Sequence, residues 1–384
     1  MSHAILSPSS ADRWLHCPPS ALLNAQAGSA DTKYTREGTL AHAAAELAAH
    51  KQFLPGLGPK KFAAEMAKLK ANENWNDEMT THVQTYLDAL MDIYAAFPVK
   101  PHVVLEQKVD FHEYVPDGYG TADCIMLCDN ILQVVDFKYG QGVEVSSDHN
   151  PQMMLYALGA LLDYGTLYDV DLVRMTIVQP RIKREPDTWE TTAGELLYWA
   201  EETVKPMADL AAKGEGEFAS GDWCRFCAIR GSCRRRAMDN LAIGAYDGKL
   251  PPQLSDEEVG AALTQGQQLR AWLSDLEKYA LGACLDGREI PGYKAVAGRS
   301  LRAWINQDAA FAAAMAAGVP EEMLYERSPV SLAQLEKIMG KKQFTETLQE
   351  YITIPPGKPT LVQDKDRRAA ITGRPTPDDD FKEE

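Results

Sequence analysis

The most constraining feature of the sequence is a pair of apolar runs on either side of the dipeptide Asp129-Asn130. Asp and Asn tolerate the backbone angles of tight turns, so the runs predict two antiparallel strands joined by a two-residue turn. In that register Asp123 lies directly opposite Asp136, with Cβ atoms about 4.5–5.5 Å apart. Because both faces of the hairpin are largely apolar, we expect it to lie in the centre of its sheet.

The facing carboxylates of Asp123 and Asp136 predict a metal site. Two like charges opposite each other in a buried hairpin destabilise the fold unless a proton or a cation lies between them. Mg²⁺ or Mn²⁺ suits such hard oxygen ligands, and Lys138, on the same face as Asp136, can reach a metal-bound water or a phosphate. The alternative is a surface salt bridge between an Asp and a Lys. Glu106, on the preceding strand, is expected to be an exposed strand carboxylate, with outer-sphere metal binding as its alternative.

The spacing Asp123, then Asp136-x-Lys138, resembles the signature of the PD-(D/E)xK nuclease superfamily. The surrounding residues resemble its RecB branch, which includes the AddB and CRISPR-adaptation (Cas4-like) nucleases. That branch has a histidine on an upstream helix, which His42 matches here. The first acidic motif reads Gly-Thr-Ala-Asp, without a proline before the Asp, as is common in that branch.

The same branch carries a Gln-x-x-x-Tyr helix after the lysine, which Gln152 and Tyr156 match. These side chains lie one helical turn apart on one face, an arrangement that suits contact with a nucleic-acid backbone or base. The resemblance implies a DNA nuclease, and it assigns a role to each matching residue. Catalysis would fall to His42, Asp123, Asp136 and Lys138, metal binding to His42, Asp123, Asp136 and the Phe137 carbonyl, and substrate binding to Gln152 and Tyr156.

The resemblance further implies an exonuclease that resects DNA ends for phage recombination or repair, beside a single-strand annealing protein. Whether the protein forms a homo-oligomer is left open by the sequence. Two alternatives remain, a non-catalytic nucleic-acid-binding or assembly protein that retains the fold, and a structure- or site-specific endonuclease. The formal charge of −16 argues against a protein that coats nucleic acid nonspecifically, because phosphate neutralisation needs an excess of Lys and Arg.

A second cluster of chemistry-bearing residues is Cys224-x-x-Cys227-x5-Cys233, within a total of seven cysteines. Three closely spaced thiolates suit one metal centre but fall one short of the four that structural sites use. AddB-type and CRISPR-adaptation nucleases hold a [4Fe–4S] cluster with three such cysteines and a fourth far upstream. The resemblance therefore implies Cys17 as the fourth ligand here. Zinc is the alternative, since both metals accept four thiolates. The remaining three, Cys124, Cys128 and Cys284, are expected to be small core residues.

The order of apolar patterns predicts a mixed α/β fold. Helical periodicity dominates before Pro98, and β-branched or apolar runs then predict strands at 103–111, 120–127, 131–137 and 172–178. A helix at 150–164 should cross over the sheet. The resemblance makes this a restriction-endonuclease-like mixed sheet flanked by helices, with an N-terminal helical cap, a four-cysteine metal segment and a helical C-terminal extension.

The domain organisation follows from breaker residues and composition. We expect a nuclease domain at 1–239, a helical domain at 240–354 and a disordered, Pro-rich and charged tail at 355–384. Within the second domain the patterns predict helices at 255–285, 308–318 and 331–351 and a short strand at 293–296. The order of patterns from Ser7 to the tail, with the segment Pro291-Gly-Tyr-Lys-Ala-Val-Ala-Gly-Arg-Ser-Leu-Arg302, resembles a phage-encoded, nuclease-like family of undefined activity (DUF2800-like). With no membrane span or signal pattern, we expect a cytoplasmic protein. The resemblance implies that its cell is a phage-infected or prophage-bearing bacterium.

Overall fold

The computed structural model describes residues 4–27, 33–183, 185–241, 255–297, 305–325 and 330–352. The chain divides into two compact units, residues 1–296 and 297–384. The boundary expected at residue 240 therefore falls inside the first unit. The expected disordered tail at 355–384 lies outside the described residues.

The first unit is built on a five-stranded mixed sheet, with strands in the spatial order β1 to β5. Antiparallel pairing joins β1 to β2, β2 to β3, and β4 to β5, whereas β3 and β4 are parallel. The expected mixed α/β architecture is confirmed. The strands are β1 (His102–Asp110), β2 (Tyr119–Cys128), β3 (Ile131–Phe137), β4 (Leu172–Val178) and β5 (Asp187–Thr192).

The central hairpin has the register that the sequence predicts. Cys128 pairs with Ile131 and Cys124 with Val135, so the turn consists of Asp129 and Asn130. Asp129 has a φ of 49°, a left-handed conformation that Asp tolerates better than most residues. The β5 strand was not predicted, because its polar sequence has no apolar alternation and it lies at the edge of the sheet.

Helices cover both faces of the sheet. One face packs against α6 (Pro151–Tyr168), the crossover helix between the parallel strands, and buries the row that includes Ile125 and Val134. The other face buries Cys124, Met126 and Phe137 among residues of α3 and α5. The sequence expectation of a doubly covered hairpin is thus confirmed, and Cys124 and Cys128 are buried as expected.

Among the described residues, five α-helices precede the sheet, in agreement with the expected N-terminal helical cap. A proline at the first turn of α4 supports its start, because the missing N–H of proline costs nothing there. No helix within the described ranges is both long and apolar enough to cross a membrane. The five are α1 (Ala11–His16), α2 (Ser20–Ala27), α3 (Lys33–Phe53), α4 (Pro59–Lys70) and α5 (Glu78–Ala95).

The cysteine segment follows the sheet and is flanked by helices. Capping boxes at Thr192 and Ser255 define the starts of α7 and α10 through reciprocal side-chain and backbone hydrogen bonds. Because α10 packs against α9, α10 belongs to the first compact unit. The helices are α7 (Ala193–Trp199), α8 (Lys205–Lys213), α9 (Arg234–Leu241) and α10 (Asp256–Leu285).

Two expectations for the C-terminal third were wrong. Instead of a strand at 293–296 there is a single bridge between Ile290 and Tyr293. The helix expected at 331–351 is two helices, broken at Gly340, whose φ of 76° does not continue a right-handed helix. The described helices of the second unit are α11 (Gln307–Ala316), α12 (Leu332–Met339) and α13 (Lys341–Leu348).

Candidate active site and cysteine-lined pocket

Asp123, in the middle of β2, and Asp136, near the end of β3, lie close together just beyond the last residue pair of the β2–β3 ladder. One carboxylate oxygen of Asp123 accepts a hydrogen bond of 2.7 Å from the backbone N–H of Phe137, which ties the two strand ends together. Asp136 is 3% exposed, and burial raises the pKa of its carboxyl, with a further upward contribution from the charge of Asp123. The charge of Lys138 acts in the opposite direction on this pKa. The hairpin therefore concentrates negative charge in a low-dielectric position, as the register argument predicts.

Lys138 connects this acidic pair to helix α6. Its Nζ donates a hydrogen bond of 2.8 Å to Gln152 Oε1, and Gln152 Nε2 donates one of 3.0 Å to the Tyr156 hydroxyl. Gln152 and Tyr156 share a face of α6, which starts next to the site because the Asn150 side chain caps its first turn. Tyr156 is itself buried, at 8% exposure, and burial raises the pKa of its phenol.

His42 reaches the acidic pair from α3, on the opposite face of the sheet. Its Nδ1 lies 3.4 Å from Asp123 Oδ1, and its ring packs at 5.4 Å from the ring of Phe137. Burial alone would lower the pKa of His42, but the hydrogen bond to Asp123 and the charges of Asp123 and Asp136 outweigh it, so the pKa is raised. The structure thus brings the histidine of the sequence hypothesis into contact with its acidic partner.

Glu106 is also part of this centre, and the expectation of an exposed strand carboxylate was wrong. Its neighbours on β1 pair with Cys124 and Ala122, so Glu106 lies across from Asp123. Its φ of 48° interrupts the regular ladder there. Burial raises the pKa of Glu106 to about 7, with help from the charges of Asp123 and Glu46. His42, Glu46, Glu106 and Asp123 line one small pocket.

The donor set of this pocket, taken together with the neighbouring Asp136, suits a hard divalent cation. Asp136 Oδ2 is buried and makes no well-directed hydrogen bond, but it lies 3.0 Å from Lys138 Nζ, which donates to Oδ1 at 3.3 Å. The raised pKa values of Asp136 and Glu106 reflect burial and carboxylate charges close together. Carboxylate oxygens grouped in this way are ligands that Mg²⁺ and Mn²⁺ bind. In the described part of the chain, no three His, Cys, Asp or Glu side chains are arranged as a ready metal site.

The four cysteines of the predicted metal segment line a single pocket. Cys17, from the N-terminal helices, lies there with Cys224, Cys227 and Cys233, which belong to the segment between α8 and α9. All four are free thiols, and burial raises the pKa of Cys224. The donor chemistry therefore fits a four-thiolate metal centre.

Contacts join the N-terminal helices to the cysteine segment beside this pocket. Asn24 accepts a hydrogen bond of 2.6 Å from the Ala228 N–H and donates one of 3.4 Å to Cys227 Sγ. The rings of His16 and Trp223, each next to a cysteine in sequence, stack with centroids 4.2 Å apart. Neither pair was identified from the sequence, since their partners are far away along the chain.

The fold and the site together define a mixed α/β protein with an acidic, lysine-containing centre where the pairing of its two central strands ends. The chain belongs to the family described as "Protein of unknown function (DUF2800)", which matches residues 3–369. The expected resemblance to that family is confirmed.

Solved structures show distant similarity. An alkaline exonuclease (LHK-Exo) from Laribacter hongkongensis is 12% identical, with a TM-score of 0.24 over 44% of this chain and 88% of that chain. The structure of LHK-Exo in complex with dAMP gives the same values. The structure of SSO0001 is 11% identical, with a TM-score of 0.23 over 59% of this chain and 96% of that chain. Because these TM-scores are low, we argue the function from the residues of the site.

Proposed function

We propose that this chain is a metal-dependent DNA nuclease that hydrolyses phosphodiester bonds. The observation that carries the proposal is the contact network in which His42 approaches Asp123, Lys138 approaches Asp136, and Gln152 accepts from Lys138. Phosphodiester hydrolysis needs a cation to offset phosphate charge and a positioned group for the attacking water. The network supplies carboxylates for the first need and a tethered ammonium for the second.

Asp123, Asp136, His42 and the Phe137 carbonyl are the proposed ligands of one or two Mg²⁺ or Mn²⁺ ions. When bound, such an ion polarises a phosphate oxygen and lowers the pKa of a coordinated water. His42 is oriented by its contact with Asp123, and Asp123 by the Phe137 N–H. Glu106 adds a nearby carboxylate whose proton affinity is raised, which suits a group that accepts or returns a proton near neutral pH.

Lys138 is the proposed cationic group that faces the substrate. Gln152 Oε1 fixes its ammonium at 2.8 Å, so that its remaining N–H groups can donate to a phosphate oxygen or to the attacking water. Gln152 in turn is fixed by Tyr156. A pre-oriented donor stabilises the charge that develops in the transition state without a reorganisation cost at the moment of reaction.

The finer assignment rests on the resemblance to RecB-type nucleases. We propose an exonuclease that resects DNA ends during phage recombination or repair, with Gln152 and Tyr156 on the strand-binding side. An annealing protein that covers the exposed single strand is the proposed partner. The Cys17, Cys224, Cys227 and Cys233 pocket is proposed to hold a [4Fe–4S] cluster, with zinc as the alternative, in a structural role.

Cleavage assays with matched variants test the nuclease proposal. Purified protein is incubated with end-labelled linear DNA and with closed circular DNA, in Mn²⁺, in Mg²⁺ and in EDTA. Asp136→Asn and Asp123→Asn should abolish metal-dependent cleavage, because each removes a charged ligand. Asp129→Asn is the matched control, since this Asp lies in the turn of the same hairpin and its left-handed φ suits Asn.

The outcomes separate the candidate functions. Cleavage of linear DNA only supports an exonuclease, and cleavage of circles identifies an endonuclease instead. Binding of DNA without cleavage under any metal condition overturns the nuclease proposal in favour of a non-catalytic nucleic-acid-binding protein. Equal cleavage by wild type and Asp136→Asn overturns the assigned site. Metal analysis, with absorbance near 400 nm as the mark of thiolate-bound iron, distinguishes iron from zinc.

A further inference from the structure

Two polar side chains in the wall of the four-cysteine pocket have buried atoms without a hydrogen-bond partner. They are Arg13, from α1, and Ser20, from the start of α2. Arg13 Nε and Ser20 Oγ are both buried and unpaired, and Ser20 is only 2% exposed. Burying a polar group without a partner is costly, so two such groups beside one pocket indicate a ligand there that accepts hydrogen bonds.

The charge of Arg13 points to the nature of that acceptor. Among the described residues no carboxylate forms an ion pair with Arg13. By contrast, Arg230, in the cysteine segment, and Arg236, in α9, both pair with Asp275. Burial lowers the pKa of Arg13, and the charges that oppose this effect are those of Cys227 and Cys17. The Arg13 side chain is anchored by a hydrogen bond of 3.3 Å that its Nη1 donates to the Phe226 carbonyl. Negatively charged sulfur is an acceptor that would offset the positive charge of a guanidinium in this position.

We infer that Arg13 Nε and Ser20 Oγ donate hydrogen bonds to the sulfur atoms of a thiolate-ligated metal centre, and that Arg13 offsets part of its negative charge. The inference rests on the metal centre proposed for the four cysteines and is independent of the nuclease chemistry. Asn24, which donates to Cys227 Sγ, is the third donor of this set. Such outer partners orient the ligands of a metal and tune its properties.

All three donors come from the N-terminal helices, whereas three of the four cysteines come from the segment after the sheet. Metal retention should therefore depend on the docking of α1 and α2 and not only on the cysteines themselves. In an iron cluster, hydrogen bonds and positive charge next to sulfur favour the reduced form, because that form carries more negative charge. Loss of Arg13 should then lower the reduction potential.

Metal release from the full-length protein tests the inference. Arg13→Met keeps much of the side-chain volume but removes the charge and the donor, and Ser20→Ala removes a single oxygen. The metal content of each purified protein is measured first, and the rate of metal release to an excess of chelator is measured next. Both variants should lose metal about tenfold faster than wild type, as outer-partner substitutions typically do.

Arg235→Met and Ser232→Ala are the controls, because both residues are exposed on the same segment and do not line the pocket. They should release metal at the wild-type rate. If iron is present, a redox titration should give a more negative midpoint potential for Arg13→Met than for Arg235→Met. Circular dichroism verifies that each variant is folded. If Arg13→Met does not fold, Ser20→Ala still tests the inference.

Two results overturn the inference, and they differ in whether they also contradict the proposed metal centre. Wild-type protein without bound metal removes both the inference and the metal-centre proposal, whereas the Asp136 cleavage assay still decides the nuclease proposal. Wild-type protein with metal, but with release from Arg13→Met and Ser20→Ala no faster than from the controls, removes only the roles of Arg13 and Ser20.

Discussion

At the scale of single residues, the candidate active site depends on close contacts where the pairing of β2 with β3 ends. Gly120 shows how little space is left near the site, since a Cβ atom there would lie 2.7 Å from both Tyr156 Cε1 and Pro8 Cγ. The glycine permits close approach of α6 to β2, which in turn places Gln152 next to Lys138. The lack of a side chain at Gly120 therefore matters both for packing and for the geometry of the candidate site.

Gly120→Ala should destabilise the fold by about 1–3 kcal/mol, because the added methyl group overpacks a tight contact. Urea unfolding followed by circular dichroism measures the change in the free energy of unfolding. Gly142→Ala serves as the control, since a Cβ there meets no atom within 4 Å. A Gly120→Ala protein as stable as this control would contradict the packing described here.

Gln152→Ala should reduce the rate of DNA cleavage about 10- to 100-fold, because it removes a hydrogen bond to the charged Lys138, worth about 1.5–3 kcal/mol. Tyr156→Phe should have a smaller effect, as it removes only the bond that orients Gln152. Single-turnover cleavage of labelled DNA measures both effects. Gln84→Ala, on the exposed face of α5, is the control. Full activity in Gln152→Ala would show that Lys138 needs no such tether.

At the scale of elements, the loop between β3 and α6 is the connection that sets the site. Gln179, after β4, holds this loop by accepting from the Val145 N–H at 3.0 Å and donating to the Val143 carbonyl at 2.8 Å. Asp187, at the start of β5, accepts from the Ser147 N–H at 2.8 Å just before α6 begins. The unpredicted edge strand therefore contributes to the position of α6, and through it to Gln152.

Asp187 should make stability depend on pH in the acid range. Burial would raise its pKa, but hydrogen bonds from Ser147 and Lys183 lower it to about 2 from an ordinary value of 3.8. A depressed pKa gives stability that is present above the unfolded-state pKa and lost as the pH falls through the folded-state pKa. The contribution is at most about 2 kcal/mol, reduced by the partial exposure of the group.

Asp187→Asn should therefore flatten the loss of stability between about pH 4 and pH 2, the window that the two pKa values define. Urea midpoints across this range measure the slope. Glu202→Gln, which changes an exposed carboxylate away from this loop, is the control and should leave the slope largely unchanged. A slope in Asp187→Asn equal to that of wild type would show that Asp187 does not carry the effect.

At the scale of the whole molecule, the first unit extends through α10 to residue 296. Asp275 of α10 binds Arg236 at 2.7 Å and Arg230 at 3.0 Å, and its carbonyl lies 2.7 Å from the position of a Cβ at Gly231. Trp272 of the same helix is 6% exposed. α10 thus completes the packing of the cysteine segment.

A chain truncated after residue 296 should unfold cooperatively, whereas one truncated after residue 239 should be less stable by at least about 3 kcal/mol, since buried Arg236 loses its carboxylate. Urea unfolding of both fragments measures the difference. The metal content of each fragment reports on the cysteine pocket. A 239-residue fragment as stable as the longer one would instead support a domain boundary near residue 240.

Much of the candidate site was predictable from local sequence. The turn at Asp129-Asn130 fixes the register over a few residues, so the approach of Asp123 to Asp136 follows from the chain itself. Glu106 was misassigned because the segment between β1 and β2 is longer than a tight turn and does not fix the pairing by its length. With that register known, the position of Glu106 across from Asp123 follows directly.

What the sequence by itself determined is therefore the central hairpin, the mixed α/β class and the crossover helix, because apolar periodicity and turn chemistry act between near neighbours. Only the tertiary structure decided which distant groups meet. His42 reaches Asp123 from the other face of the sheet, Arg13 and Ser20 reach the pocket of Cys224, and α10 joins the first unit. These contacts depend on how helices pack around the sheet, and no local spacing encodes that packing.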